Sequence, residues 1–422
     1  MATDEGKQVE YAAYIGLDWG DEEHAVCLQA AGCDEIERHT LKQKPEDLHD
    51  WLLKLQERFG GQKVAVAIEQ SKGAVIYALL VYDFVHVFRI NPKSLARYRE
   101  AFSPSGAKDD PSDAEYLLAW ARLHRDKVKP WVPDDPESRA LQRLVEFRRT
   151  TVGQRVRLTN RLTQLLKEYF PQALDWAGDL ASTMACDFLQ RWPSLEKLQK
   201  SKPEPLRRFY RQHRCRRPEL IEDRIKQIRT ARALTQDRAV IETSILMVQT
   251  MVPQLRQLIA AIDVIDQKIG RLFEQHPDYG VFSSFPGAGA ALAPRLQAAF
   301  GSDRSRFESP DEVQKYSGIA PVIERSGKSE RVHQRFACAK FVKQTFHEFA
   351  RHSMPRCAWA QAFYQMQRSR GNEHHAAVRA LAYKWIRILY RCWKDHVPYD
   401  EEVYMRSLQK RGVELLTFLA AA

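Results

Sequence analysis

Two short apolar runs decide the fold, Tyr14-Ile15-Gly16-Leu17-Asp18 and Val64-Ala65-Val66-Ala67-Ile68-Glu69, and each ends on a carboxylate. Both read as strands. The polar turn Trp19-Gly20-Asp21-Glu22-Glu23 leads into Ala25-Val26-Cys27-Leu28, which predicts a returning strand and hence a hairpin over 11–29; a third strand is expected over 36–41. Leu48, Trp51, Leu52 and Leu55 recur at helical spacing, so 45–59 reads as a helix that Gly60-Gly61 ends. Beyond Glu69 the pattern predicts a helix over 74–83, a strand over 85–90, a stop at Asn91-Pro92 and a helix over 110–124. Three strands in hairpin order, followed by strands alternating with helices, make a mixed α/β sheet with helices on its faces.

The acids stand where such a sheet does chemistry. Asp18 and Glu69 fall at the C-terminal ends of their strands, the usual ligand edge of an open α/β sheet. Asp110 and Asp113, in Asp109-Asp110-Pro111-Ser112-Asp113-Ala114, share one turn at the start of a helix, with Asp109 the weakest alternative. Singly, each acid is explained by turn capping or by the helix dipole. Jointly, two strand ends and one helix turn can bring four carboxylates onto hard, oxygen-loving cations such as Mg²⁺ or Mn²⁺, as metal-dependent phosphodiester cleavage requires.

From Pro136 to about Phe170 one long helix is expected, apolar at Leu141, Leu144, Val145, Leu158, Leu162, Leu165 and Tyr169, with arginines including Arg148, Arg149, Arg155 and Arg157 on its other faces. A second helical pattern runs over 221–273, where Leu255, Leu258, Ile262, Ile265, Ile269 and Leu272 repeat as a coiled-coil seam does and Pro253 predicts a kink or break. After His276-Pro277 short helices and tight turns follow. Phe285-Pro286-Gly287-Ala288-Gly289 is a small-residue loop before a helix, so Gly287 and Gly289 are candidates to hold a phosphate through main-chain N–H groups. The polar loop Arg325-Ser326-Gly327-Lys328-Ser329 offers Ser326 as a nucleophile, although a Ser-Gly step by itself is ordinarily a turn.

The 422 residues imply more than one domain, and the net charge of +11 points to a polyanionic partner, nucleic acid before an acidic membrane surface. The charge is localised: residues 136–217 carry 18 Lys+Arg against 8 Asp+Glu, an excess of 10. No run reads as spanning a bilayer and the N-terminus lacks the order of a signal peptide, so a soluble, intracellular protein is expected. Seven cysteines, scattered and without metal-ligand spacing, read as reduced thiols.

The order of Gly16-Leu17-Asp18, Ile68-Glu69, Ile90-Asn91-Pro92, Asp110-Pro111-Ser112-Asp113-Ala114, Phe285-Pro286-Gly287-Ala288-Gly289, Tyr316-Ser317-Gly318-Ile319-Ala320-Pro321 and Ser326-Gly327 resembles the DEDD-type transposases of bridge-RNA-guided insertion sequences. The resemblance implies an RuvC/RNase-H-like domain over 1–131, a basic helical and coiled-coil region over 132–275, a mostly helical transposase domain over 276–400 and a tail over 401–422. It implies that Asp18, Glu69, Asp110 and Asp113 form the metal-binding tetrad and that Ser326 attacks phosphorus, ahead of Ser317, Ser329 and the pair Ser283-Ser284. Its implied partners are donor and target DNA, a structured noncoding guide RNA and further copies of the chain, as a dimer or tetramer joined through the coiled coil. A junction-resolving endonuclease using the tetrad with water, which would make Ser326 incidental, is one rival. A non-enzymatic nucleic-acid scaffold, which would not need the tetrad, is the other.

Overall fold

The computed structural model describes residues 10–69, 73–102, 110–327, 329–411 and 414–420. Contacts divide the chain into two compact units, Met1–Pro133 and Asp134–Ala422.

The first unit is a five-stranded mixed sheet with helices on both faces. Its elements run β1 Ala13–Asp18, β2 Glu23–Ala30, β3 Glu37–Lys42, α1 Pro45–Arg58, β4 Val64–Ile68, α2 Ala74–Leu79, β5 Val85–Arg89, α3 Pro92–Phe102 and α4 Asp110–Leu123. The strand order is β3-β2-β1-β4-β5, with β1 central, antiparallel to β2 and parallel to β4. Alternation along β1 sorts its side chains. Ala13, Ile15 and Leu17 face the core formed with Leu48, Leu52, Val75 and Leu79 of α1 and α2, so Tyr14, Gly16 and Asp18 face the other side. There α4 lies so close that a Cβ on Gly16 would fall 2.0 Å from the Ala114 carbonyl oxygen and 2.4 Å from the Leu118 nitrogen. Glycine is required because backbone meets backbone. The strand stops before Asn91-Pro92 as expected, and the pair also starts α3: the Asn91 side chain accepts from the Lys93 N–H at 2.9 Å and proline suits a helix's first position.

The second unit is helical apart from one hairpin. It comprises α5 Pro136–Tyr169, α6 Ala173–Trp176, α7 Thr183–Arg191, α8 Leu195–Gln199, α9 Pro203–Gln212, α10 Pro218–Thr230, α11 Arg238–Glu274, α12 Tyr279–Ser283, α13 Gly289–Phe300 and α14 Pro310–Tyr316. The hairpin β6 Val322–Ser326 and β7 Ser329–His333 follows, then α15 Lys340–Ser353, α16 Ala358–Ser369, α17 His374–Asp395, α18 Glu401–Lys410 and α19 Leu415–Ala420. Helices α5 and α11 pack side by side as a spine. One end joins Leu141, Val145, Ile265 and Ile269 to a core centred on Phe346, Trp359, Trp385 and Trp393. The other joins Leu162, Leu166, Val248 and Leu255 to Phe188, Trp192, Phe209 and Tyr210.

Four expectations change here. The helical pattern over 221–273 is two helices, because 231–237 breaks between α10 and α11. Pro253 does not interrupt α11; it sits on the exposed face, where water can take up the carbonyl that loses its partner. The seam residues Leu255, Ile262, Ile265 and Ile269 are buried within the chain. Finally, α11 is long and apolar enough, by length and composition, to cross a membrane, which the sequence reading missed. Its buried stripe is the one that packs into the two cores of the second unit.

Candidate active site

Strand register and helix packing bring the acids of the first unit to one end of the sheet. Leu17 pairs with Ile68 in the parallel β1–β4 ladder, so the next residues, Asp18 and Glu69, stand side by side. On β4, Val64, Val66 and Ile68 face α1 and α2, whereas Ala65 and Ala67 pack with Leu117 and Ala121 of α4; the alternation therefore sends Glu69, like Asp18, toward the α4 side. The direction of α4 follows from its other end. Arg122 donates to Gln29 Oε1 at 3.1 Å, Gln29 pairs with Tyr14, and Arg125 lies 5.1 Å over the Tyr14 ring. The last turn of α4 is thus at the start of β1, and its first turn, with Asp113, is toward the strand ends that carry Asp18 and Glu69.

Asp113 has no exposed surface and ion-pairs with Arg99 of α3. Among the described residues neither of its oxygens accepts a well-aligned hydrogen bond, and the buried Arg99 Nε has no acceptor. The proximity and the missing hydrogen bonds are compatible: the charges touch, but the guanidinium is not in the forked geometry that satisfies a carboxylate. A buried carboxylate in that condition is costly, and a divalent cation is the partner that hard oxygens favour. Among the described side chains, however, no three His, Cys, Asp or Glu are gathered as a ready metal cage. Asp110 starts α4, but its side chain lies outside the described residues, as does Asp109. Asp18 is half-buried and has an interaction of its own.

Sequence reasoning missed Arg99, because a cation fourteen positions before Asp113 has no periodic relation to it. It also missed His24, which braces the turn after Asp18. This fully buried imidazole sits 2.6 Å from Gln43 Oε1 through Nε2 and accepts the Gly20 N–H at Nδ1, 3.3 Å away. Burial pulls its pKa below the ordinary histidine value.

In the second unit Ser326 ends β6, opposite Ser329, at the tip of an exposed hairpin. Gly327 turns the chain with φ of 56°; Lys328 lies outside the described residues. Of the competing serines, Ser329 is exposed on the same hairpin, and the other three are engaged elsewhere. Ser317 is buried and donates to the Gln314 carbonyl, Ser283 to that of Tyr279, and Ser284 to that of Val281 while accepting from the Tyr399 N–H.

The candidate phosphate-binding residues divide. Gly287 has φ of 84°, and a Cβ there would lie 2.4 Å from the His352 carbonyl oxygen, so close packing explains that glycine. Gly289, φ 53°, opens onto free space. Arg148 pairs in a fork with Asp266 of α11, which raises its pKa. Arg149 and Arg157 are exposed, while Arg155 is half-buried.

A mixed sheet with acids gathered at one end, followed by a basic helical unit, is the make-up of an enzyme that acts on nucleic-acid backbones. Comparison with known proteins gives the particular kind. A transposase family model of the DEDD IS110 group matches residues 15–171, and the model described as "Transposase IS116/IS110/IS902 family" matches residues 279–365. A Streptomyces coelicolor protein named for the transposase of the IS117 mini-circle is 28% identical over 400 residues, covering 92% of this chain and 95% of the relative. The insertion element IS110 43.6 kDa protein of the same organism is 25% identical over 415 residues, covering 96% and 98%. The insertion element IS116 44.8 kDa protein of Streptomyces clavuligerus is 24% identical over 386 residues, covering 90% and 94%. The chain is similar to the IS110/IS116 transposases in both matched stretches and over nearly its whole length, and it is a transposase. It is an enzyme of DNA recombination, and its DEDD type implies a divalent metal.

Proposed function

We propose that this transposase moves an insertion sequence by breaking and rejoining DNA strands through a serine–DNA ester, on donor and target DNA chosen by a structured noncoding RNA. The first unit is read as RuvC-like, with Asp18, Glu69, Asp110 and Asp113 as ligands for Mg²⁺ or Mn²⁺. The observation that carries this reading is the convergence of Asp18, Glu69 and the first turn of α4 on one side of one sheet end, with Asp113 buried and short of hydrogen bonds. When bound, the metal would polarise the scissile phosphate and stabilise the leaving oxygen.

Ser326 is assigned the nucleophile's part because it is exposed at a turn and holds the Ser-Gly position, which its exposed neighbour Ser329 does not, while Ser317, Ser283 and Ser284 are engaged. Its Oγ forms a bond to phosphorus as the bond to a deoxyribose oxygen breaks. The serine proton leaves, and the departing oxygen gains one. The ester conserves the energy of the broken bond, so attack by another strand's hydroxyl reverses the step and restores the serine.

Basic residues track phosphates and leave sequence choice to base pairing; Arg149 and Arg157, exposed on α5, are the assigned contacts on that helix. Oligomerisation is assigned to the outward face of α11, where Leu246 and Val264, five turns apart, are 67% and 65% exposed. The setting is the cytoplasm, where the DNA is.

The test is a trapped reaction. Incubation with a nicked DNA substrate and Mg²⁺ should yield a denaturant-resistant protein–DNA adduct that maps to Ser326. Free ends with no adduct would hand the reading to a water-using endonuclease.

A further inference from the structure

At the α9–α10 corner the sequence Arg207-Arg208-Phe209-Tyr210-Arg211-Gln212-His213-Arg214-Cys215-Arg216-Arg217 carries six arginines and no acid. Arg207 is used internally, in a fork with Glu222 at 2.7 and 2.9 Å. Arg211, Arg214 and Arg216 instead rim an open depression of about 360 Å³ floored by Cys215, Pro218 and Ile221. All three are exposed. Pro218 begins the 13-residue α10, whose N-terminal dipole end adds positive potential to that floor.

The backbone makes the corner unusual. The Cys215 N–H donates to the Tyr210 carbonyl at 2.9 Å and the Arg214 N–H to that of Arg211 at 3.0 Å, which is the Schellman closure of a helix. Its left-handed position ordinarily holds glycine; here it holds Arg214, with φ of 60°. Among the described residues the only other non-glycine at positive φ is His396, and its side chain has an internal task, 3.3 Å from Asp278. Arg214 has no such ion pair among the described residues. Where glycine would relieve the backbone, an arginine is kept and aimed at water among other arginines, so its guanidinium has work outside the chain. The neighbouring hollow of about 330 Å³ differs, since it contains Asp187, already joined to Arg256 at 2.6 Å and His213 at 3.2 Å.

We infer that the α9–α10 corner is a phosphate-binding site for a nucleic-acid strand, with Arg211, Arg214 and Arg216 as its contacts. Its residues are other than the acids of the first unit and Ser326, and the inference rests on the reading of the chain as a nucleic-acid-binding transposase. Fixed guanidinium forks suit phosphate oxygens, and the absence of a described exposed aromatic among the lining residues favours backbone over base recognition. Duplex DNA and folded RNA present the same phosphodiester, so the experiment separates them.

The full chain and the triple variant Arg211→Gln/Arg214→Gln/Arg216→Gln are titrated with a labelled DNA duplex and with a labelled RNA stem-loop of unrelated sequence, over a range of salt. The slope of log affinity against log salt should fall by about 0.9 per lost contact on duplex DNA, and in the same direction on the RNA stem-loop if that is the strand bound. The probe whose slope falls identifies the source. The corresponding triple lysine variant should keep most of the slope. Arg214→Gly should raise thermal stability while weakening binding, a pair of effects that a merely structural role would not produce. In the unaltered protein, bound probe should shield Cys215 from iodoacetamide, read by mass spectrometry, which keeps the test sound if the triple variant misfolds. Unchanged slopes together with an unshielded Cys215, in a parent that binds both probes, would overturn this site alone. A parent that binds neither probe would overturn the nucleic-acid reading and this inference with it.

Discussion

Arg99 of α3 and Asp113 of α4 form an ion pair in which the carboxylate is fully buried and the guanidinium side chain is 14% exposed. Deleting one partner of such a pair leaves an uncompensated buried charge, which costs about 3–5 kcal/mol. Arg99→Leu should therefore lower the melting temperature in EDTA. If the acids bind metal, added Mg²⁺ should restore that variant's stability by more than it stabilises the parent, because the cation then supplies the lost charge. A calorimetric scan with and without Mg²⁺ checks this, and equal Mg²⁺ responses would count against metal at Asp113.

Gly16 and Gly153 make opposite predictions. Gly16→Val forces a side chain into the backbone of Ala114 and Leu118 and should cost at least about 1–3 kcal/mol while displacing the acids of α4. Gly153, inside α5, has only the Arg157 guanidinium end at 3.7 Å, so Gly153→Ala should stabilise by roughly 0.5–1 kcal/mol through helix propensity. Urea unfolding of both variants distinguishes the two.

Ser326→Ala should abolish the protein–DNA adduct and leave thermal stability unchanged, since the residue is exposed at a hairpin tip. Ser329→Ala, its cross-strand neighbour, should retain the adduct. Loss of the adduct in Ser329→Ala alone would move the nucleophile across the hairpin.

Acid should destabilise the second unit through His276. Its Nδ1 accepts the Asp278 N–H at 3.0 Å and its Nε2 lies 2.8 Å from Ser138 Oγ, all in buried surroundings. Burial lowers its pKa, with Asp278 opposing, and burial acts in the same direction on His347. A base whose folded pKa lies below its unfolded value binds fewer protons when folded, so stability is complete above the unfolded value of about 6.5 and declines as pH falls through the window below it. Denaturant midpoints measured from about pH 8 down to pH 5 should show the decline, and His276→Gln should flatten it.

Arg148 and its neighbours on α5 should separate by function. Because Arg148 is paired with Asp266, Arg148→Gln should cost about 1 kcal/mol or less of stability, both groups being partly exposed, with little change in the salt dependence of nucleic-acid binding. Arg149→Gln/Arg157→Gln should reduce the salt slope by roughly one per residue. A slope that tracks Arg148 instead would mean its internal pair opens on binding.

Much of the first unit was legible because its information is local. The apolar runs ending in Asp18 and Glu69, the hairpin turn between β1 and β2, and the proline at the head of α1 each act within a few residues, and the strands and helices formed close to where the pattern puts them. Helix α3 was missed because Asn91-Pro92 is equally good as a strand's end and a helix's beginning, and only packing of the following residues against α4 decides between them. The hairpin at Ser326 was missed because β6 and β7 are exposed on both faces and so lack the apolar alternation by which strands are recognised.

The sequence by itself determined which residues could act: the acids at strand ends, the arginine-rich helices and the serine before Gly327, together with the order of motifs that carries the family resemblance. Tertiary structure decided what each residue is occupied with. Asp113 meets Arg99, Arg148 meets Asp266 118 positions away, Gly287 yields to the His352 carbonyl, and Arg214 is left facing water. The physical reason is range, since backbone preference and apolar period are set by neighbours in the chain. The pairing of a charge is set by whichever element packing brings against it, and no local period encodes that.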